Sequence, residues 1–203
     1  MIETFTFKTM TGSSFYDQAH LRKKEFVDRQ AWDGVRTHDN MEFDEFDTPV
    51  AHYVLVRDDR GRARACCRLL PTTSPYMVET LWPEFLDGPA PKSSKLFENT
   101  RFMVDQSMSK EDMGMAWLRL SISYMDYLLD LGANQALFFG AHRIFRQGLE
   151  RKAEPFVPLG EVKMFDGEAH MAIKTQPFSR ETVARMRQNA SFWEPAQRIE
   201  VAA

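Results

Sequence analysis

The 203-residue sequence has only two cysteines, Cys66 and Cys67, adjacent in an apolar run. A bridge between neighbours would need strained geometry, and no second pair completes a thiolate metal site, so a reducing, cytoplasmic setting is expected. His20, His38, His52, His142 and His170 show no zinc-ligand spacing, and no metal is expected. Long apolar runs are missing as well. No window holds ~18 apolar residues, and MIETFTFKTM lacks a basic segment leading into one, so neither a membrane span nor a signal peptide is expected. There is no Gly-x-Ser-x-Gly elbow, no Gly-Lys-Ser/Thr phosphate loop and no dinucleotide-type glycine cluster. Nor is there an excess of positive charge. Lys and Arg number 26 against 29 Asp and Glu, a net charge of −3, which argues against a nucleic-acid partner.

What is present is a globular chain. Hydrophobic residues make up 43% and include 16 Phe, too aromatic for disorder. No repeat or linker divides it, and one domain over 1–203 is expected.

Periodicity and turn residues give a coarse order of elements. Phe15, Ala19, Arg22 and Phe26 fall on one helical face with Ser13 or Ser14 as cap, which sets Arg22 beside apolar side chains. An acidic stretch over 39–47 carries Asp39, Glu42, Asp44, Glu45 and Asp47 with no Lys or Arg, and reads as a loop. Residues 52–57 and 62–70 read as strands joined by a DDRG hairpin turn, and 96–104 as a further strand. The segment 113–131 reads as a helix closed by Gly132, followed by a strand over 136–140, a helix over 144–152, a strand over 169–175 and a helix over 179–192 capped by Ser179. Hairpins in the first half and strand–helix units in the second predict an α/β sandwich with a mixed sheet.

Three charges stand out because their surroundings are apolar. Arg68 lies in RACCRLLP, where alternation places Cys67 and Leu69 on one face and Cys66, Arg68 and Leu70 on the other; Glu98 and Arg101 lie in KLFENTRFMV. Buried charges are costly unless paired. Asp44, Asp47 and Arg22 can complete an ion-pair network, which either lines a cleft or fastens a loop to the sheet. Glu98 and Arg101 are three apart, so a regular strand sends them to opposite faces; a bulge intervenes or they serve different subsites.

The blocks LRKKEFVDRQAWD (21–33), MEFDEFD (41–47), RLLPTTSPYM (68–77) and FENTRFMVD (97–105) occur in the order and spacing of the acyl-homoserine lactone synthases, the LuxI-type autoinducer synthases of bacterial quorum sensing, and the sequence resembles that family. Its near-constant charged and aromatic positions fall on Arg22, Phe26, Trp32, Asp44, Asp47, Arg68, Glu98 and Arg101. Phe97 departs from the family's usual Trp, and Asn99-Thr100 departs before Arg101. The resemblance implies a three-layer αβα sandwich with a mixed twisted sheet, like the GCN5-related N-acyltransferases, with a V-shaped opening between two central strands. It implies acyl transfer from an acyl thioester, usually on acyl carrier protein, to the amine of S-adenosylmethionine, then lactonisation to an N-acyl-L-homoserine lactone, 5′-methylthioadenosine and the free carrier thiol. S-adenosylmethionine is then a substrate, and no cofactor is implied.

On that resemblance Glu98, Arg101, Asp47 and Arg68 form the catalytic set, with Glu98 as base. Arg22, Phe26, Trp32, Asp44, Arg101 and Phe102 form the substrate-binding set. An acidic carrier calls for a basic dock. Arg143, Arg146, Arg151 and Lys152, against Glu150 alone, give 143–152 a net local charge of +3. No glycine loop precedes the helix at Met113, which favours the carrier over coenzyme A. The alternative is an N-acyltransferase of the same fold that uses acyl-coenzyme A and forms no lactone; a non-catalytic lactone binder would need an output domain for which this length leaves little room. Family members that favour 3-oxo chains tend to carry a Thr on the strand before the helix at Ile144; here 136–147 reads ALFFGAHRIFRQ, with no Thr or Ser, so the resemblance implies an acyl chain without a 3-oxo group.

Overall fold

A computed structural model describes residues 1–32, 35–150 and 156–189. The chain opens with β1 (Ile2–Thr6), then α1 (Gly12–Arg22), which runs directly into a π-helical turn (Lys23–Arg29). Thr11, not Ser13 or Ser14, caps α1: its Oγ1 accepts from the Ser14 amide at 3.1 Å. The acidic stretch begins as a small hairpin, β2 (Thr37–His38) and β3 (Met41–Glu42), turned through left-handed Asp39 and Asn40. Next come β4 (His52–Arg57), β5 (Ala63–Pro71), α2 (Met77–Leu81), a 3₁₀ turn (Pro83–Phe85) and β6 (Leu96–Val104). The second half holds α3 (Lys110–Asp130), β7 (Gln135–Ala141), α4 (His142–Glu150), β8 (Phe156–Pro158), β9 (Lys163–Phe165), β10 (Glu168–Thr175) and α5 (Arg180–Asn189).

The strands form one mixed sheet in the order β1-β4-β5-β6-β7-β10-β8, with β9 also on β10. Every pairing is antiparallel except β6 with β7, because α3 carries the chain back across the sheet before β7 begins. Ser109 starts α3 by accepting from the Asp112 amide at 3.1 Å, and Gly132 ends it at φ 77°.

Alternation along β5 divides the core as its sequence predicts. Cys66 and Leu70 face a cluster under α1 and α2 with Phe26, Phe46, Tyr53 and Leu137. Cys67 and Leu69 face a second cluster under α3 and α5 with Phe97, Leu120 and Leu128. The result is the αβα sandwich. Among the described residues no helix is long and apolar enough to cross a membrane.

Two irregularities shape the centre of the sheet. The β6–β7 ladder holds only at Leu96↔Gln135, Phe97↔Ala136 and Glu98↔Leu137, so 99–104 and 138–141 part and leave a wedge between them. In the β5–β6 ladder, Cys66 pairs Met103 and Arg68 pairs Thr100, so Arg101 and Phe102 together oppose Cys67. This bulge is built on Arg101 at φ 53°.

Candidate active site

The bulge decides which face Arg101 takes. Its guanidinium lies on the same side as Arg68 and Glu98, donating from Nη2 to Glu42 at 2.9 Å and to Asp44 at 2.8 Å. Of the two readings of the three-residue spacing, the bulge is the one observed.

Around Arg101 the acidic loop lies across the sheet. Arg22, at the C-terminal end of α1, donates to both oxygens of Asp47 at 2.8 and 2.9 Å, to Gln18 at 3.2 Å and through Nε to Glu42. Arg68 donates to Asp44 at 2.5 and 3.0 Å, pairs with Asp47 at 3.0 Å and donates from Nε to Thr100 at 3.1 Å. The Tyr53 hydroxyl donates to Asp47 at 2.8 Å. Three guanidinium and three carboxylate groups thus neutralise one another where Arg22, Arg68 and Glu42 are fully buried. Burial raises the carboxyl of Asp47, but Arg22 and Arg68 outweigh it and hold it far below the usual carboxylate range. Asp44 is lowered in the same way, against burial, by Arg68 and Arg101.

Glu98 is set apart from this cluster. It is fully buried, and its oxygens accept from the amides of Met77 at 2.7 Å and Val78 at 2.9 Å, where α2 begins. Among the described residues no cation lies within ion-pairing distance of it. Burial pushes its carboxyl up to about 7, against the pull of the Val78 and Met77 amides and of Arg68 and Arg101 further off. A carboxylate at that value takes and returns a proton near neutrality.

An aromatic edge borders the cluster. Arg101 lies over the Phe26 ring at 5.4 Å, and Phe26 stacks on Trp32 at 4.6 Å and 23°. Phe26 is buried but Trp32 is 42% exposed, which suits a platform for a flat or cationic ligand better than a core residue.

Several sequence expectations need correction. Arg22, expected among the substrate-binding residues, is enclosed by Asp47, Glu42 and Gln18 and fully buried, where it ties the acidic loop to α1. Phe102 does not join Phe26 and Trp32; once the bulge has turned Arg101, Phe102 faces α3 beside Trp117 (5.9 Å) and Tyr124 (6.2 Å). In the expected dock, Arg143 is exposed and pairs with Glu168 at 2.5 Å, and Arg146 is exposed on α4, while Arg151 and Lys152 lie outside the described residues. Glu42, a central acid of the cluster, went unassigned. Its spacing of two from Asp44 in MEFDEFD was the available signal. Cys66 and Cys67 are buried, and burial pushes the Cys66 thiol up to about 12 and Cys67 well above its ordinary range, so neither supplies a thiolate nucleophile. Among the described residues no group of three His, Cys, Asp or Glu is placed to hold a metal ion.

The autoinducer synthase family model matches residues 7–186. An acyl-homoserine-lactone synthase of Vibrio anguillarum is 34% identical over 122 residues, 60% of this chain and 63% of that protein. The chain spans about three fifths of the length of the curated relatives it matches. In fold it is similar to MesI, a CoA-dependent acyl-homoserine lactone synthase (TM-score 0.83, 21% identity, 98% of this chain and 100% of that one), and to BjaI, another, solved with SAM and isopentyl-CoA (0.82, 22%, 98% and 92%). With the motif blocks, the wedge and the arginine cluster in the same chain, this protein belongs to the autoinducer synthase family.

Proposed function

We propose that the chain joins an acyl thioester to the amine of S-adenosylmethionine and closes the product to an N-acyl-L-homoserine lactone. The observation that carries this reading is Glu98, a carboxylate poised near 7 at the point where β6 and β7 part, with Arg101 and the Trp32–Phe26 stack on the same face. Trp32 and Phe26 hold the adenine or sulfonium, and Arg101, the least enclosed arginine of the cluster, takes the methionine carboxylate. Asp47 and Arg68 act by positioning Arg101 and the acidic loop. The ammonium gives up one proton before attack. Glu98 accepts it through a water, since both its oxygens are turned to backbone amides. The amine nitrogen then bonds the thioester carbon, unpaired β6 amides in the wedge stabilise the oxyanion, and the C–S bond breaks as the second amine proton passes to the thiolate. In the last step the substrate carboxylate attacks the carbon bearing the sulfonium; a C–O bond forms, the C–S bond breaks and methylthioadenosine leaves.

Acyl carrier protein is the proposed donor. The loop before α3, 105–109, contains no glycine, and Glu111 and Asp112 occupy the first turn, where they oppose a coenzyme A pyrophosphate. Incubating the chain with S-adenosylmethionine and matched acyl-carrier and acyl-coenzyme A donors tests both statements. Lactone and methylthioadenosine in equal amounts support the reaction, whereas an acylated amine without methylthioadenosine refutes it.

A further inference from the structure

Asn99 follows Glu98 on β6 and points the other way. It is 3% exposed, it pairs with Leu69 in register on the face under α3, and neither its amide nitrogen nor its amide oxygen has a hydrogen-bond partner among the described residues. Apolar side chains share that face, Phe97, Leu69 and Cys67 among them. Among the described residues the Cys67 thiol, a weak hydrogen-bond partner, is the polar group recorded against the Asn99 amide. A buried amide left unpaired is costly, and an apolar residue of the same shape would serve the core better.

Its position gives the amide a use. The β6–β7 ladder ends at Glu98, so Asn99 is the first residue of β6 in the wedge. Glu98 and Arg101 hold the amine side of the reaction on one face. A thioester carbonyl reaching that amine through the wedge carries its next carbons toward the opposite face, past Asn99 and on toward Phe102, Tyr124 and Phe138, which form one edge-to-face series. An amide offers a donor and an acceptor together, so it can hold a carbonyl or a hydroxyl.

We propose that Asn99 selects acyl chains bearing oxygen on the third carbon, 3-oxo or 3-hydroxy, by hydrogen-bonding that oxygen at the mouth of the wedge. This rests on the lactone-synthase reading above. It reverses the expectation drawn from 136–147, because the polar partner comes from β6 and not from β7.

The test uses hexanoyl, 3-hydroxyhexanoyl and 3-oxohexanoyl thioesters on one carrier protein, with methylthioadenosine release as readout. The wild-type chain should prefer an oxygenated donor by about 10- to 100-fold in kcat/KM, and the better of the two identifies the group read. Asn99→Leu should abolish that preference, keep hexanoyl turnover within about threefold and leave the melting temperature equal or higher. Asn99→Ser, smaller and still polar, should keep part of the preference and covers the case in which the Leu variant does not fold. A wild-type preference for hexanoyl, or an equal loss for all three donors in either variant, overturns the proposal while the synthase reading stands. No turnover with any donor removes the synthase reading and this inference with it.

Discussion

In the arginine cluster every charge meets its opposite, whereas Glu98, next to Phe97 on β6 and on the same face as the cluster, meets only backbone amides. Desolvation acts on both. In the cluster, cations in contact overrule it and the carboxylates of Asp44 and Asp47 stay ionised far below neutrality. At Glu98 the amides offset only part of it and the group comes to about 7. Pairing fixes charge and so makes a frame; leaving one buried carboxylate without a contact ion makes a group that exchanges protons at working pH.

Arg68→Leu should break the frame most severely, because it takes one of two guanidinium partners from each of Asp44 and Asp47 in a buried site and leaves them with Arg101 and Arg22 alone. A loss of about 3–5 kcal/mol in urea unfolding is expected. A loss below about 1 kcal/mol would mean the loop is held by something other than its charges.

Glu98→Gln should do the reverse, lowering turnover by about 10²-fold while changing stability by no more than about 1 kcal/mol. If it unfolds the chain as readily as Arg68→Leu, Glu98 is part of the frame. The two kinds of carboxylate also respond oppositely to pH. Glu98 is raised above its unfolded value of about 4.3, so its contribution to stability declines as pH climbs from there to about 7, while turnover rises through the same upper value as the base ionises. Asp47 and Asp44 are depressed, so their contribution is complete above about 4 and is lost in acid. A pH–rate profile with an acidic limb near 7 that disappears in Glu98→Gln sharpens the assignment; an unchanged limb defeats it.

Trp32→Ala probes the border between the two regions. It should weaken S-adenosylmethionine binding by about 1–3 kcal/mol in calorimetry, with the KM for acyl carrier unchanged. Equal weakening of both substrates would return Trp32 to the core. The smallest effect is expected at the exposed dock. Arg143→Glu with Arg146→Glu should raise the carrier KM by about 1 kcal/mol equivalent and flatten its salt dependence, and a small soluble thioester should react as before.

The sequence made the long elements legible because each has one unambiguous signal. Alternation placed β5 and both of its faces, β6 was bounded correctly at Leu96–Val104, and Gly132 marked the end of α3. The start of α3 came three residues early, at Lys110, because Ser109 captures the helix before its apolar face begins. The strands β1, β2, β3, β8 and β9 were not legible; all but β1 are two or three residues long, partners further along the sequence hold β1 and β8, and β9 is a three-residue arm of a hairpin turned at Asp166-Gly167. In the site, residue types pointed to the cluster, but its wiring was hidden, since the acidic loop has no period from which to read that Glu42 reaches both Arg22 and Arg101. Asn99 looked like a minor departure in a motif. Only the end of the β6–β7 ladder gives its amide a place.

That ladder also has a bearing on how the molecule comes apart. Three residue pairs join strands β1, β4, β5 and β6 to strands β7, β8, β9 and β10. Helix α3 packs on β4, β5 and β6, and α4 packs on β7, β8 and β10, so each helix sides with its own half. The hydrogen-bonded seam of the sheet is therefore narrow, and side chains of both core clusters bridge it; native-state hydrogen exchange should find 135–141 and 168–175 opening before 52–57 and 63–71. On the proposed reaction, an acyl donor lying in the wedge would fill the gap where that ladder ends, so that binding of donor should slow exchange along the seam and its departure should restore it.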